Sequence, residues 1–130
     1  MRAYVFNQNI TNWDVSAVES LDFTFHDALQ FNQDISGWNV ASVQSMVFTF
    51  YAARSFNQDL SSWDVSAVTD FDQMFRFADV FDQDLCVWGP KIQSSANMNE
   101  MFANTNSCPT QDPPDLSATP NAGPFCHVCI

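Results

Sequence analysis

The chain has 130 residues, carries 15 Asp+Glu against 4 Lys+Arg for a formal charge of -11, and is 46% hydrophobic and 15% aromatic with 13 Phe. That length suits one domain with a continuous core, and the apolar content excludes a disordered chain. The negative charge repels phosphate backbones and anionic membrane surfaces, so nucleic acid is excluded as a partner. No stretch approaches the roughly 20 apolar residues of a transmembrane segment, and Met1-Arg2-Ala3-Tyr4-Val5 lacks the apolar run of a signal peptide.

Self-similarity organises the chain from its first residues. The tetrad Phe-Asn/Asp-Gln-Asn/Asp begins at Phe6, Phe31, Phe56 and Phe81, 25 residues apart each time. Trp13, Trp38, Trp63 and Trp88 recur in register, as do Phe25, Phe50 and Phe75. Within a unit, Ile10-x-x-Trp13-x-Val15 ends in the alternation of a half-buried strand. Val18, Leu21, Phe25 and Ala28 follow at spacings of three, four and three, which predicts a short helix with one buried face. No unit of this size buries its own apolar side, so the units are expected to stack. The predicted core is Trp13, Trp38, Trp63 and Trp88 with Phe25, Phe50, Phe75, Phe31, Phe56 and Phe81.

The run Phe31-Asn32-Gln33-Asp34-Ile35-Ser36-Gly37-Trp38-Asn39-Val40, repeated as Phe56 to Val65 and followed by Met/Leu/Phe-x-x-x-Phe-x-x-Ala, resembles the BspA-like repeat of cell-surface proteins and mycoplasma-type lipoproteins. Its Ile/Leu-x-x-Trp-x-Val portion resembles the strand of leucine-rich repeats. The reading is an α/β repeat: a leucine-rich-repeat-like right-handed solenoid with one short strand and one short helix per 25-residue coil. The resemblance covers residues 1–107. It implies an extracellular or surface-attached interaction protein without enzymatic activity.

The two ends read differently. Met1 falls inside a return between units, which suggests a fragment of a longer chain or a first coil that pairs with a second copy. Residues 108–130 are rich in Pro and Cys and are expected to form a cap or tail. Cys86, Cys108, Cys126 and Cys129 all lie in the last unit and this tail, and four cysteines allow three pairings. Extended neighbouring strands would hold Cys86 and Cys108 about 15 Å apart, beyond the ~7 Å that a disulfide spans. The tail is therefore expected to fold back, bringing Cys126 or Cys129 to the earlier cysteines. Zinc and redox dithiol readings of Cys126-His127-Val128-Cys129 lack a second close pair and a βαβ context.

Polar residues repeat as faithfully as apolar ones. Asn7, Asn32 and Asn57, then Gln8, Gln33 and Gln58, then Asp34, Asp59 and Asp84 form ladders. Such ladders satisfy backbone groups where the chain turns; calcium bound by oxygens from neighbouring coils is the competing reading. Asn12, Asp14, Asn39, Ser62 and Asp64 mark short polar side chains on one strand face, the candidate surface for a protein or glycan ligand. No cofactor is called for. His26 and His127 sit in no nucleophile motif, and carboxylates that recur by translation do not differ in environment as a catalytic pair must. The expected function is binding or adhesion at the cell surface or outside the cell; the alternatives are a structural spacer array or a calcium-stabilised module without its own ligand.

Overall fold

The computed structural model describes residues 3–118 and 121–130. Met1, Arg2, Thr119 and Pro120, on which parts of the expected first return and of the tail fall, lie outside the described residues. Four coils, 6–30, 31–55, 56–80 and 81–107, lie one on another. Phe25, Phe50, Phe75 and Phe102 form a column of near-parallel rings with centroids 5.3, 5.4 and 5.4 Å apart. Phe6, Phe31, Phe56 and Phe81 form a second column at 5.8, 5.8 and 6.1 Å.

The strand and the helix expected in each coil are not formed, so the α/β, leucine-rich-repeat-like solenoid is overturned. Among the described residues the only helix is a 3-10 turn at Cys86–Lys91. Strand-type pairing is confined to isolated bridges: Ser20–Ser45, Ser45–Asp70 and Asp70–Asn97 in parallel, Asp115–Gly123 and Phe125–His127 antiparallel. There is no sheet.

The spacing of the rings explains why helices are absent. Packed helices need about 8–10 Å between axes, whereas phenylalanines of adjacent coils stand 5.3 Å apart. That distance is close to the roughly 4.8 Å between backbones that hydrogen-bond directly to each other. The segment read as a helix is instead a ribbon of consecutive turns. Thr24, His26 and Ala28 donate their N–H groups to the carbonyls of Leu21, Phe23 and Phe25, three residues back. The intervening N–H groups leave the coil: Leu21, Phe23, Phe25 and Asp27 donate to Ser45, Val47, Thr49 and Tyr51 at 2.8–3.0 Å. Met46, Phe48, Phe50 and Ala52 donate likewise to Asp70, Asp72, Met74 and Arg76, and Phe71, Gln73, Phe75 and Phe77 to Asn97, Asn99, Met101 and Ala103.

Each ribbon holds two residues in the left-handed region: Phe23 and Asp27, Phe48 and Ala52, Gln73 and Phe77, Glu100 and Asn104, with φ between 48° and 59°. A left-handed residue ends a right-handed helix. Leu21, Phe25 and Ala28 still point inward, 4%, 3% and 1% exposed, because turns of this kind also return the chain to the core after three or four residues. The predicted strand at Ile10–Val15 is likewise a pair of turns, with Trp13 N–H bonded to Ile10 O and Val18 N–H to Val15 O.

Tryptophans join coil to coil. The indole Nε1–H of Trp38, Trp63 and Trp88 donates to the carbonyl of Ile10, Ile35 and Leu60 in the preceding coil at 3.1, 3.0 and 3.1 Å. These three rings are buried. Trp13, expected in the same core, is 62% exposed: among the described residues no earlier coil lies beneath it to cover its ring or accept its N–H.

The tail closes the other end. Cys86 pairs with Cys129 and Cys108 with Cys126, with Cα atoms 5.5 and 4.9 Å apart. Leu85 donates to the carbonyl of Phe125, whose ring is fully buried. His127 Nε2 and Asp82 Oδ1 lie 2.8 Å apart.

Candidate functional site

The repeated polar side chains are turn builders and rungs between coils. Asn7 Oδ1 accepts the N–H of Asn32 and Nε2–H of Gln33, at 3.0 and 2.9 Å. Asn32 does the same for Asn57 and Gln58, and Asn57 for Asp82 and Gln83. Asp34, Asp59 and Asp84 each accept the N–H two residues on, from Ser36, Ser61 and Cys86. Ladder oxygens that already face N–H donors do not converge on a cation, so this donor set does not fit calcium. Asp82, Cys126 and His127 do converge, but the Cys126 sulfur is bonded to Cys108 and offers no thiolate.

The residues marked as a strand face lie at turns, since the described residues form no sheet to flatten them. Asp14 Oδ1 accepts the N–H and hydroxyl of Ser16 at 3.0 and 2.6 Å. Asn39 and Asp64 accept the N–H of Ala41 and Ser66. The hydroxyl of Ser62 donates to the carbonyl of Ser36, and Asn12 is exposed.

The hydroxyls of Ser16, Ser36 and Ser66, and then their backbone N–H groups, hold the carboxyls of Asp14, Asp34 and Asp64 below the ordinary carboxylate range. A carboxyl lowered on folding stabilises the fold above its unfolded value of about 3.9 and loses that contribution as pH falls through its folded value. Asn39 makes the same turn without a charge. Replacing Asp14, Asp34 and Asp64 together by Asn is therefore expected to leave the neutral-pH melting temperature nearly unchanged and to flatten its decline below pH 4. Thermal melts across pH 2–7 check this; an unchanged acid slope would show that other carboxyls carry the transition.

A different surface carries aromatic side chains outside the core. On the outer side of the ribbon, Phe23 stacks on Phe48 with centroids 5.0 Å apart, and His26 stacks on Tyr51 at 4.9 Å. Phe48 and Tyr51 touch at 5.2 Å, and Phe77 meets Tyr51 edge-on at 5.5 Å. The guanidinium of Arg76 lies 5.0 Å from the Phe77 centroid and pairs with Glu100. Phe23 is 55% exposed and the others are half-buried. These side chains form one aromatic stripe across three coils.

Phe23, Phe48 and Phe77 hold this stripe from left-handed backbone positions, with φ of 58°, 53° and 59°. Gly or Asn fits that conformation at least cost, and a bulky side chain is an outlier there. Asn104 occupies such a position in the last coil. Neither core packing nor backbone geometry asks for phenylalanine at these places. Sequence reasoning missed the stripe because it follows what the units share, whereas the stripe lies where they differ: Phe23, Phe48, Gln73; His26, Tyr51, Arg76; Asp27, Ala52, Phe77. The available signal was a set of aromatic residues outside the inward series Val18, Leu21, Phe25, Ala28.

The ribbons are also acidic. Glu19, Asp22, Asp27, Asp70, Asp72, Asp79 and Glu100 face two cations, Arg54 and Arg76, and both arginines are paired, with Asp79 and Glu100. A cleft of about 430 Å³ lies between the 3-10 turn and the tail, lined by Val87, Gly89, Leu116, Ala122 and Ile130. Among the described residues no titratable side chain lines it, Cys86 and Cys129 being joined in a disulfide.

No curated protein and no solved structure matches the chain. The family profile described as "Mycoplasma protein of unknown function, DUF285" matches residues 1–113. That span takes in all four coils, including the ribbon that bears the stripe, and the chain belongs to this family.

Proposed function

We propose that the chain is a non-enzymatic binding module that works outside the cytoplasm, with a protein or glycan as its ligand and the aromatic stripe as its contact surface. The observation that carries this reading is that phenylalanine occupies three left-handed positions outside the core, exposed at Phe23 and half-buried at Phe48 and Phe77. Exposed aromatic clusters of this kind are where binding energy concentrates. Two disulfides fit an oxidising setting, and the motif's resemblance to repeats of cell-surface proteins supports the same location. No helix among the described residues is long and apolar enough to cross a membrane.

Regular stacking also suits a spacer that holds other modules apart and has no ligand. Arrays of extracellular proteins and glycans, probed with the wild type and with a Phe23→Asn/Phe48→Asn variant, separate the two readings. Saturable binding that the variant loses supports the stripe; binding equal in both, or none that saturates, contradicts it.

A further inference from the structure

We infer that the stripe receives a basic polypeptide, with Lys or Arg among apolar residues, and not a glycan. The inference rests on the stripe being the contact surface.

Ring orientation decides between the two ligand classes. Sugars bind aromatic residues by laying a C–H face on a ring face. In this stripe the faces already look at one another: Phe23 and Phe48 are 13° from parallel, and His26 and Tyr51 are 4° from parallel. Phe77 takes the Arg76 guanidinium. Stacked rings present their edges to solvent, and edges pack well against aliphatic side chains but give no platform to a pyranose. Only the outer faces of Phe23 and His26, at the start of the stack, remain uncovered by another coil of the described residues.

Charge points the same way. The seven carboxylates of the ribbons outnumber their two arginines, and the whole chain carries -11. Acidic glycans are repelled, and a cationic partner is steered inward and held. The fold itself shows how a cation is taken. Arg76 lies over Phe77 and pairs with Glu100, combining a ring face with a carboxylate. A partner's arginine or lysine would meet an open ring face only at the Phe23 end, and elsewhere would lay its aliphatic stem along the ring edges with its charge answered by the ribbon carboxylates.

The test selects from a random 12-residue peptide library displayed on phage against immobilised full chain, alongside an array of neutral and acidic glycans. Binding of the selected peptides is then measured on the wild type and on Phe23→Asn/Phe48→Asn. Asparagine suits the left-handed backbone, so the variant keeps its fold and its charge; a near-UV circular dichroism spectrum confirms this. The expected result is peptides in which Lys or Arg alternates with apolar residues. Their affinity should fall at least tenfold in the variant and several-fold between 50 and 300 mM salt. Glycan binding lost in the variant, with no peptide selected, would overturn the ligand class while leaving the stripe as the contact surface. Peptide binding that the variant retains in full would mean that bulk charge alone is read, and would overturn both.

Discussion

Trp63→Ala is expected to lower the unfolding free energy by about 4 kcal/mol, and Trp13→Ala by about 1 kcal/mol or less. The two residues share a register position and differ only in place. Trp63 is 1% exposed, lies 6.3 Å from the Phe50 ring, and donates its indole N–H to the carbonyl of Ile35. Truncation opens a cavity between the second and fourth coils and removes one of the two hydrogen bonds that the Ile35 carbonyl accepts, the Trp38 N–H keeping the other, so transfer and cavity losses dominate. Because each coil is held by its neighbours, damage in the middle weakens two interfaces at once. Trp13 is already 62% exposed and loses only partial burial. Differential scanning calorimetry, which needs no tryptophan signal, measures both; equal losses would contradict the ordering.

Replacing Cys108 and Cys126 together by Ser is expected to cost roughly 2–5 kcal/mol and to release the tail. Cys86→Ser/Cys129→Ser is expected to cost less. Chain entropy alone argues the reverse. The two bonds close separations of 18 and 43 residues, and the longer loop gains only about 0.8 kcal/mol more in that model. Burial outweighs this difference. Cys108 and Cys126 are 5% and 0% exposed, inside the core with Phe125, and two serine hydroxyls placed there cost about 1–3 kcal/mol each when unpaired. Cys86 and Cys129 are more open to solvent. Loss of the inner bond should free Phe125 and make residues 108–130 sensitive to limited proteolysis. A tail that resists proteolysis in Cys108→Ser/Cys126→Ser as in the wild type would show that packing alone holds it.

What could be read from the sequence was translation, and what could not was conformation. Phe6, Phe31, Phe56 and Phe81 announce the coils because a stacked ring must recur in register. The inward series Val18, Leu21, Phe25, Ala28 was read correctly as inward and wrongly as helical. Spacings of three and four mark a helix face, but a ribbon of turns generates them as well. Left-handed residues are usually announced by Gly or Asn; here most are Phe, Asp, Ala, Gln or Glu, so that signal was silent. The strand reading passed over legible turn chemistry. Asp14-Val15-Ser16 and Asp34-Ile35-Ser36 are the sort of pairs that cap a turn, and both do so. The stripe was hidden for another reason: a repeat analysis keeps what Phe23, Phe48 and Gln73 have in common and discards what sets them apart.

Alternate N–H groups of each ribbon bond to the next coil, and that path creates the left-handed positions from which the aromatic rings project. Scalar couplings across hydrogen bonds in an isotope-labelled sample read those partners directly. Correlations from the amides of Met46, Phe48, Phe50 and Ala52 to the carbonyl carbons of Asp70, Asp72, Met74 and Arg76 are predicted. Correlations from these same amides to carbonyls four residues earlier in their own segment would mean helices, and would contradict the ribbon and the stripe together.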